Sequence, residues 1–347
     1  MMLLKKIPLF LLILILATLG CSLPQTSALS PTASTAPKRL SPRPPKKAAQ
    51  SKPPTTTPTP ASTTTPAPSP SPLPQFFNPN KLGTSETNLT YCIPQGQDLK
   101  LDVHYPTSAD KPWPAVVYIH GGGLSKGNKS GGAGLIYFQP LTQANFLVIS
   151  INYRLLPQNK FPAQIEDAKC AIRFLRDNAN TFNLDPNHIG VYGTSAGGYL
   201  ASLVGTTDSD AGFEGQATSS EQSSRVQAVA SLFGPSDFTV DCQSNLVKFF
   251  FGQSVCDDRN LLASASPITH VSPDDPPFLL IHGSRDHVVP LAHARSLNDS
   301  LQAAGVPVTL VIVANADHGF TPRSGTPDPS KPEIIQILVD FFIQHLQ

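Results

Sequence analysis

Ser195 lies in Gly193-Thr194-Ser195-Ala196-Gly197, between the apolar run His188–Gly193 and a helical pattern over Ala196–Val204. A serine on a sharp strand-to-helix turn holds its Oγ clear of the backbone. The helix start behind it offers N–H groups and a positive dipole end to a developing oxyanion. A hydroxyl needs a base within reach and a third group to orient that base. Asp286 stands just past the run Pro277–His282, and His318 just past Val308–Val313. The run Ala115–His120 ends in His120-Gly121-Gly122-Gly123, whose glycine N–H groups can turn toward one point. The chemistry that uses all four is acyl transfer. Ser195 is the nucleophile, His318 the base, Asp286 its orienting acid, and Gly122, Gly123 and Ala196 the oxyanion donors. One such donor is typically worth about 3–4 kcal/mol of transition-state stabilisation. The rate should rise with pH as the imidazole loses its proton.

Rivals exist for each role. Asp237, in Gly234-Pro235-Ser236-Asp237-Phe238, also follows a strand and is the alternative acid. His287 reads as exposed and His120 as structural. His104, His188, His270, His293 and His345 lack a matching context. No CxxC or HExxH spacing occurs, so neither a metal nor a cofactor is implied.

The elements that must position these residues are legible as seven short strands, the first alternating and the other six continuous apolar runs. They are Leu99–Tyr105, Ala115–His120, Phe146–Ile151, His188–Gly193, Ala228–Phe233, Pro277–His282 and Val308–Val313. Helix patterns over Gln164–Asn178, Ala196–Val204, Leu291–Ala304 and Pro332–Leu346 alternate with them. Such alternation implies an α/β fold with a mainly parallel sheet covered on both faces. Its ligand site then lies at the carboxyl ends of the strands. The stretch 236–275 is long for a connection. It holds Phe249-Phe250-Phe251 and reads either as a small lid or as a packed surface excursion.

Composition divides the 347 residues. Fifteen of 36 prolines fall between Leu23 and Gln75, in a Pro, Thr, Ser and Ala tract that cannot bury enough apolar surface to order itself. Residues 21–75 therefore read as a disordered linker and 76–347 as one catalytic domain. The net charge of +1 is misleading. Lys5, Lys6, Lys38, Arg39, Arg43, Lys46, Lys47 and Lys52 precede Gln75, where there are no acids, which leaves 17 basic against 24 acidic residues and a domain charge of −7. That disfavours nucleic-acid binding by the folded domain, because phosphate neutralisation needs a basic face.

Several segments together resemble the α/β-hydrolase esterases related to hormone-sensitive lipase, and above all their feruloyl and acetylxylan esterase-like (BD-FAE) branch. They are Leu101-Asp102-Val103, Tyr118 to Gly123, Asn152-Tyr153-Arg154-Leu155, Phe161-Pro162-Ala163 with Asp167, Asn187 to Gly190, and Gly193 to Gly198. The order Ser195, Asp286, His318 is that of α/β-hydrolases. The resemblance implies an eight-stranded α/β-hydrolase fold and a serine carboxylesterase acting on short-chain acyl or carbohydrate esters. The alternatives are a prolyl-oligopeptidase-like peptidase, an arylformamidase-like amidase and a non-catalytic binding module. The branch often has an aromatic after its glycines, at a position expected to line the mouth of the site; here it is Leu124. Arg154 and Asp167 are expected to pair structurally.

At the N-terminus, Lys5 and Lys6 precede the apolar run Ile7–Leu19, which is short for a bilayer span and suits a signal peptide over residues 1–20. Leu19-Gly20-Cys21-Ser22 resembles the bacterial lipoprotein processing site, with Cys21 lipidated, although Thr18 departs from the pattern. The expectation is an exported protein anchored to a bacterial membrane through Cys21, with simple secretion as the alternative. Of the other cysteines, Cys242 and Cys256 are expected to pair across a short loop. Cys170, within a helix pattern, is expected to be a buried free thiol.

Overall fold

A computed structural model describes residues 78–108, 112–215 and 221–347. The readings of the leader, Cys21 and the Pro-rich linker fall outside them. Among the described residues no helix is long and apolar enough to cross a membrane.

Eight strands form one sheet: β1 (Ser85–Cys92), β2 (Leu99–His104), β3 (Trp113–Ile119), β4 (Leu147–Ile151), β5 (Leu184–Thr194), β6 (Ala228–Leu232), β7 (Phe278–Gly283) and β8 (Val308–Val313). Their spatial order is β1-β2-β4-β3-β5-β6-β7-β8. The first two pairings, β1 with β2 and β2 with β4, are antiparallel, and the rest are parallel. The helices are α1 (Phe138–Gln143), α2 (Ala163–Asp177), α3 (Ala179–Phe182), α4 (Ala196–Thr206), α5 (Asn245–Phe251), α6 (Arg259–Ala265), α7 (Ala292–Ala303) and α8 (Lys331–Leu346).

The pleat explains why the central strands are apolar throughout. Successive residues of β3 enter different cores, with Ala115, Val117 and Ile119 on one face and Val116 and Tyr118 on the other. The first core takes α2 and α4; the second takes α1 and α8. β1 had no apolar run to reveal it. It is an edge strand whose outer positions are polar and exposed, and only Tyr91 and Cys92 are buried.

Its last residue overturns one expectation. Cys170 is not a free thiol but is bonded to Cys92, with the two Cα atoms 6.5 Å apart. The reason is topological: α2 packs across β1, which brings Cys170 to the end of an edge strand that the apolar pattern could not reveal. Cys242 and Cys256 also form a disulfide, as expected.

The excursion between β6 and β7 contains α5 and α6 and is packed down. Phe238, Val247, Phe250, Val255, Leu262 and Ala265 are all buried, whereas Val240 and Phe249 face outward.

Candidate active site

β5 runs directly into α4, and Ser195 forms the corner with φ 55° and ψ −120°. A non-glycine residue adopts such backbone only where its surroundings hold it there. Here the Ser195 N–H donates to the Leu232 carbonyl at 2.9 Å, and its carbonyl accepts the Tyr199 N–H at 3.0 Å. The following helix is pressed onto the end of β3, so that a Cβ at Gly197 would collide with the Ile119 carbonyl. Gly122, at φ 115°, turns the chain as only glycine readily does, and its carbonyl accepts from the amides of Ser125 and Lys126.

Three separated segments meet at Ser195. Its Oγ lies 2.9 Å from His318 Nε2, and His318 Nδ1 lies 2.8 Å from Asp286 Oδ2. A proton on Nδ1 shared with Asp286 leaves Nε2 to accept the serine proton. Asp286 Oδ1 accepts the amides of Val288 and Val289, each at 2.9 Å. Burial alone would raise the Asp286 pKa. Hydrogen bonds from His282, His318 and Val289 outweigh it and hold the carboxyl well below the usual carboxylate range. The Phe233 ring sits edge-on to the His318 imidazole, with centroids 4.8 Å apart.

A second carboxylate beside this chain escaped the sequence reading. Asp317 Oδ1 accepts the His318 amide at 2.7 Å and lies 2.6 Å from His287 Nδ1, while Asp317 also pairs with Arg323. Desolvation opposes its ionisation, but hydrogen bonds from Arg323, His318 and His287 prevail and depress its pKa. The sequence holds two Asp-His dipeptides, 286–287 and 317–318, and the fold crosses them: Asp286 with His318, Asp317 with His287. That repeated dipeptide was the available signal.

The remaining candidates separate. Asp237 folds its carboxylate onto Thr239, at 2.8 Å from N and 2.6 Å from Oγ1. His287 is exposed. His120 is buried, stacks on Tyr153 with centroids 4.3 Å apart, and has its pKa pushed down to about 4 by burial. Arg154 and Asp167 do pair, with Nε 2.9 and 3.0 Å from the two carboxylate oxygens. Leu124 does not line the mouth. Its side chain is 2% exposed and packs in the core, because φ of 59° and a hydrogen bond from Leu156 to its carbonyl turn it inward. The ring bordering the glycines is instead Phe249, from α5. Among the described residues no group of three His, Cys, Asp or Glu is placed to hold a metal ion. A cavity of about 400 Å³ lies between the excursion and the acid loop, lined by Asp237, Val240, His287 and Val288 among others.

The chain is also similar to known proteins. The family model described as BD-FAE matches residues 101–301. Esterase LipC of Mycobacterium tuberculosis (strain ATCC 25618 / H37Rv) is 34% identical over 218 residues, covering 60% of this chain and 54% of that protein. Esterase LipQ of the same organism is 30% identical over 261 residues, covering 72% and 60%. The chain thus spans little more than half the length of these curated relatives. A solved structure described as a truncated form of carbohydrate esterase from gut microbiota superposes with a TM-score of 0.65 at 28% identity, covering 78% of this chain and 99% of that one.

Proposed function

This chain belongs to the BD-FAE family, and we propose that it is a serine carboxylesterase acting on short-chain acyl or carbohydrate esters. The observation that carries the reading is the continuous hydrogen-bond chain Ser195–His318–Asp286, at 2.9 and 2.8 Å, at the carboxyl ends of parallel strands. Ser195 Oγ attacks the ester carbonyl and His318 Nε2 takes its proton. The imidazolium, stabilised by Asp286, returns the proton to the departing alcohol. Water then repeats the sequence on the acyl-enzyme. The N–H groups of Gly122, Gly123 and Ala196 hold the oxyanion. The similarity to proteins named esterases and to a structure described as a carbohydrate esterase supports the substrate class.

The test is hydrolysis of p-nitrophenyl acetate and butyrate by the full chain and by Ser195→Ala. The expected loss in kcat is about 10⁴- to 10⁶-fold. Equal rates in the two proteins would overturn the mechanism.

A further inference from the structure

The acid and the base of the triad stand past the ends of two neighbouring strands, β7 and β8. Backbone bonds tie the first residues beyond those ends. The Ser284 N–H donates to the Val313 carbonyl and the Arg285 N–H to the Ala316 carbonyl, each at 2.8 Å. Among the described residues no backbone bond joins the two loops further on, although Asp286 and His318 must still meet. One side chain spans the gap. Asp317 Oδ1 accepts the His318 amide at 2.7 Å and the His287 amide at 3.1 Å. These are the peptide groups directly before the base and directly after the acid. The carboxylate is buried, while its two side-chain partners are exposed: His287 Nδ1 lies 2.6 Å from the same oxygen, and Arg323 pairs with Oδ2. Just past His318, Gly319 and Phe320 have φ of 69° and 58°. The Phe320 amide closes this turn on the Asp317 carbonyl at 3.0 Å. A non-glycine residue keeps left-handed backbone only where its surroundings over-determine it.

We propose that Asp317 is a positioning residue: its Oδ1 gathers the amides of His287 and His318 on one atom and so fixes the spacing between the Asp286 carboxylate and the His318 imidazole. This rests on the esterase reading above and deepens it. Two amides that converge on a single oxygen cannot separate without breaking a bond. An ionised acceptor also makes a stronger hydrogen bond than a neutral one. His318 has to satisfy two contacts at once, 2.9 Å to Ser195 Oγ and 2.8 Å to Asp286 Oδ2. A misplacement of about 1 Å at such a site costs about 10²-fold in rate. Asp317 acts through the backbone of its neighbours, and what it supplies is an oxygen at a fixed place.

The experiment compares the full chain with Asp317→Ala, Asp317→Asn and Asp317→Glu in p-nitrophenyl acetate hydrolysis, with circular dichroism on each preparation. Asp317→Ala should lower kcat by about 10²-fold while KM changes by no more than about threefold. Asp317→Asn keeps the oxygen in place without the charge. Asp317→Glu keeps the charge but displaces the oxygen by a methylene. The Asn variant should therefore recover most of the lost kcat and outperform the Glu variant, a ranking that stands even where Asp317→Ala does not fold. The second readout is the downfield proton NMR resonance of His318 Nδ1–H on Asp286, assigned by its absence from His318→Gln. Recorded in Ser195→Ala, it should shift or broaden when Asp317→Ala or Asp317→Glu is added and hold its place with Asp317→Asn. Unchanged kcat in Asp317→Ala, a loss carried by KM, or a Glu variant faster than the Asn variant would overturn the proposal. Absent Ser195-dependent turnover would overturn the esterase reading, whereas a resonance indifferent to Asp317→Ala and Asp317→Glu would overturn the positioning role.

Discussion

The glycine loop after β3 is approached from two sides by two different kinds of structure. From the sheet side, the Ser195 corner and α4 press backbone directly on backbone, with Gly197 against the Ile119 carbonyl. From the solvent side, α5 reaches Gly123 with one side chain, on a segment held by buried rings and a disulfide. Backbone contact leaves no room for variation in side chains. Ring contact can be retuned by a single substitution. The difference separates a backbone-held side of the loop from a side reached by one exposed side chain.

The contrast can be broken or sharpened by substitution and by pH. Gly197→Ala attacks the backbone contact and should have the largest effect. Its Cβ forces α4 away from β3 and moves the Ala196 amide and Ser195 together. Misplacing both should cost activity on every ester, by about 10²- to 10³-fold. Stopped-assay kinetics with circular dichroism on the same preparation check this; unchanged turnover of p-nitrophenyl acetate and butyrate would erase the distinction.

Phe250→Ala attacks the other side. It empties a buried ring position beneath α5 and should cost about 3–5 kcal/mol of stability in urea unfolding. Its effect on methyl butyrate turnover should be far smaller than that of Gly197→Ala.

The third effect is smaller and depends on pH. His120, under the glycine loop, has a folded pKa of about 4 against an unfolded value near 6.5. The native imidazole stays neutral while the unfolded one takes a proton. Stability is therefore fully present above about pH 6.5 and is lost as pH falls toward 4, by about 3 kcal/mol in all. Chemical denaturation at pH 7 and pH 4.5 measures it, and His120→Asn should flatten the slope.

Much of this was legible because the central strands are buried on both faces. Their apolar runs stand out, and the residues closing them, Ser195, Asp286 and His318, stand at chemically suggestive places. What stayed hidden was carried by elements without that signature. β1 alternates weakly at an exposed edge, so its Cys92 could not be matched with Cys170. Leu124 follows the glycines in sequence, but a positive φ turns it into the core, and the aromatic beside the loop arrives from α5, about 125 residues further along the chain. Contacts of that separation depend on tertiary packing and leave no local pattern to read.

The Cys92–Cys170 bond also has a mechanical meaning. β1 lies antiparallel to β2, with Ser85 opposite His104 and Cys92 opposite Leu99. A pull on the chain just before β1 would unzip that pairing one hydrogen bond at a time from Ser85 onward. The peeling stops at Cys92, where load passes through a covalent link into the middle of α2. No more than the eight residues of β1 can be stripped by such a pull, and the strands that carry Ser195, Asp286 and His318 lie beyond the point where the force is arrested.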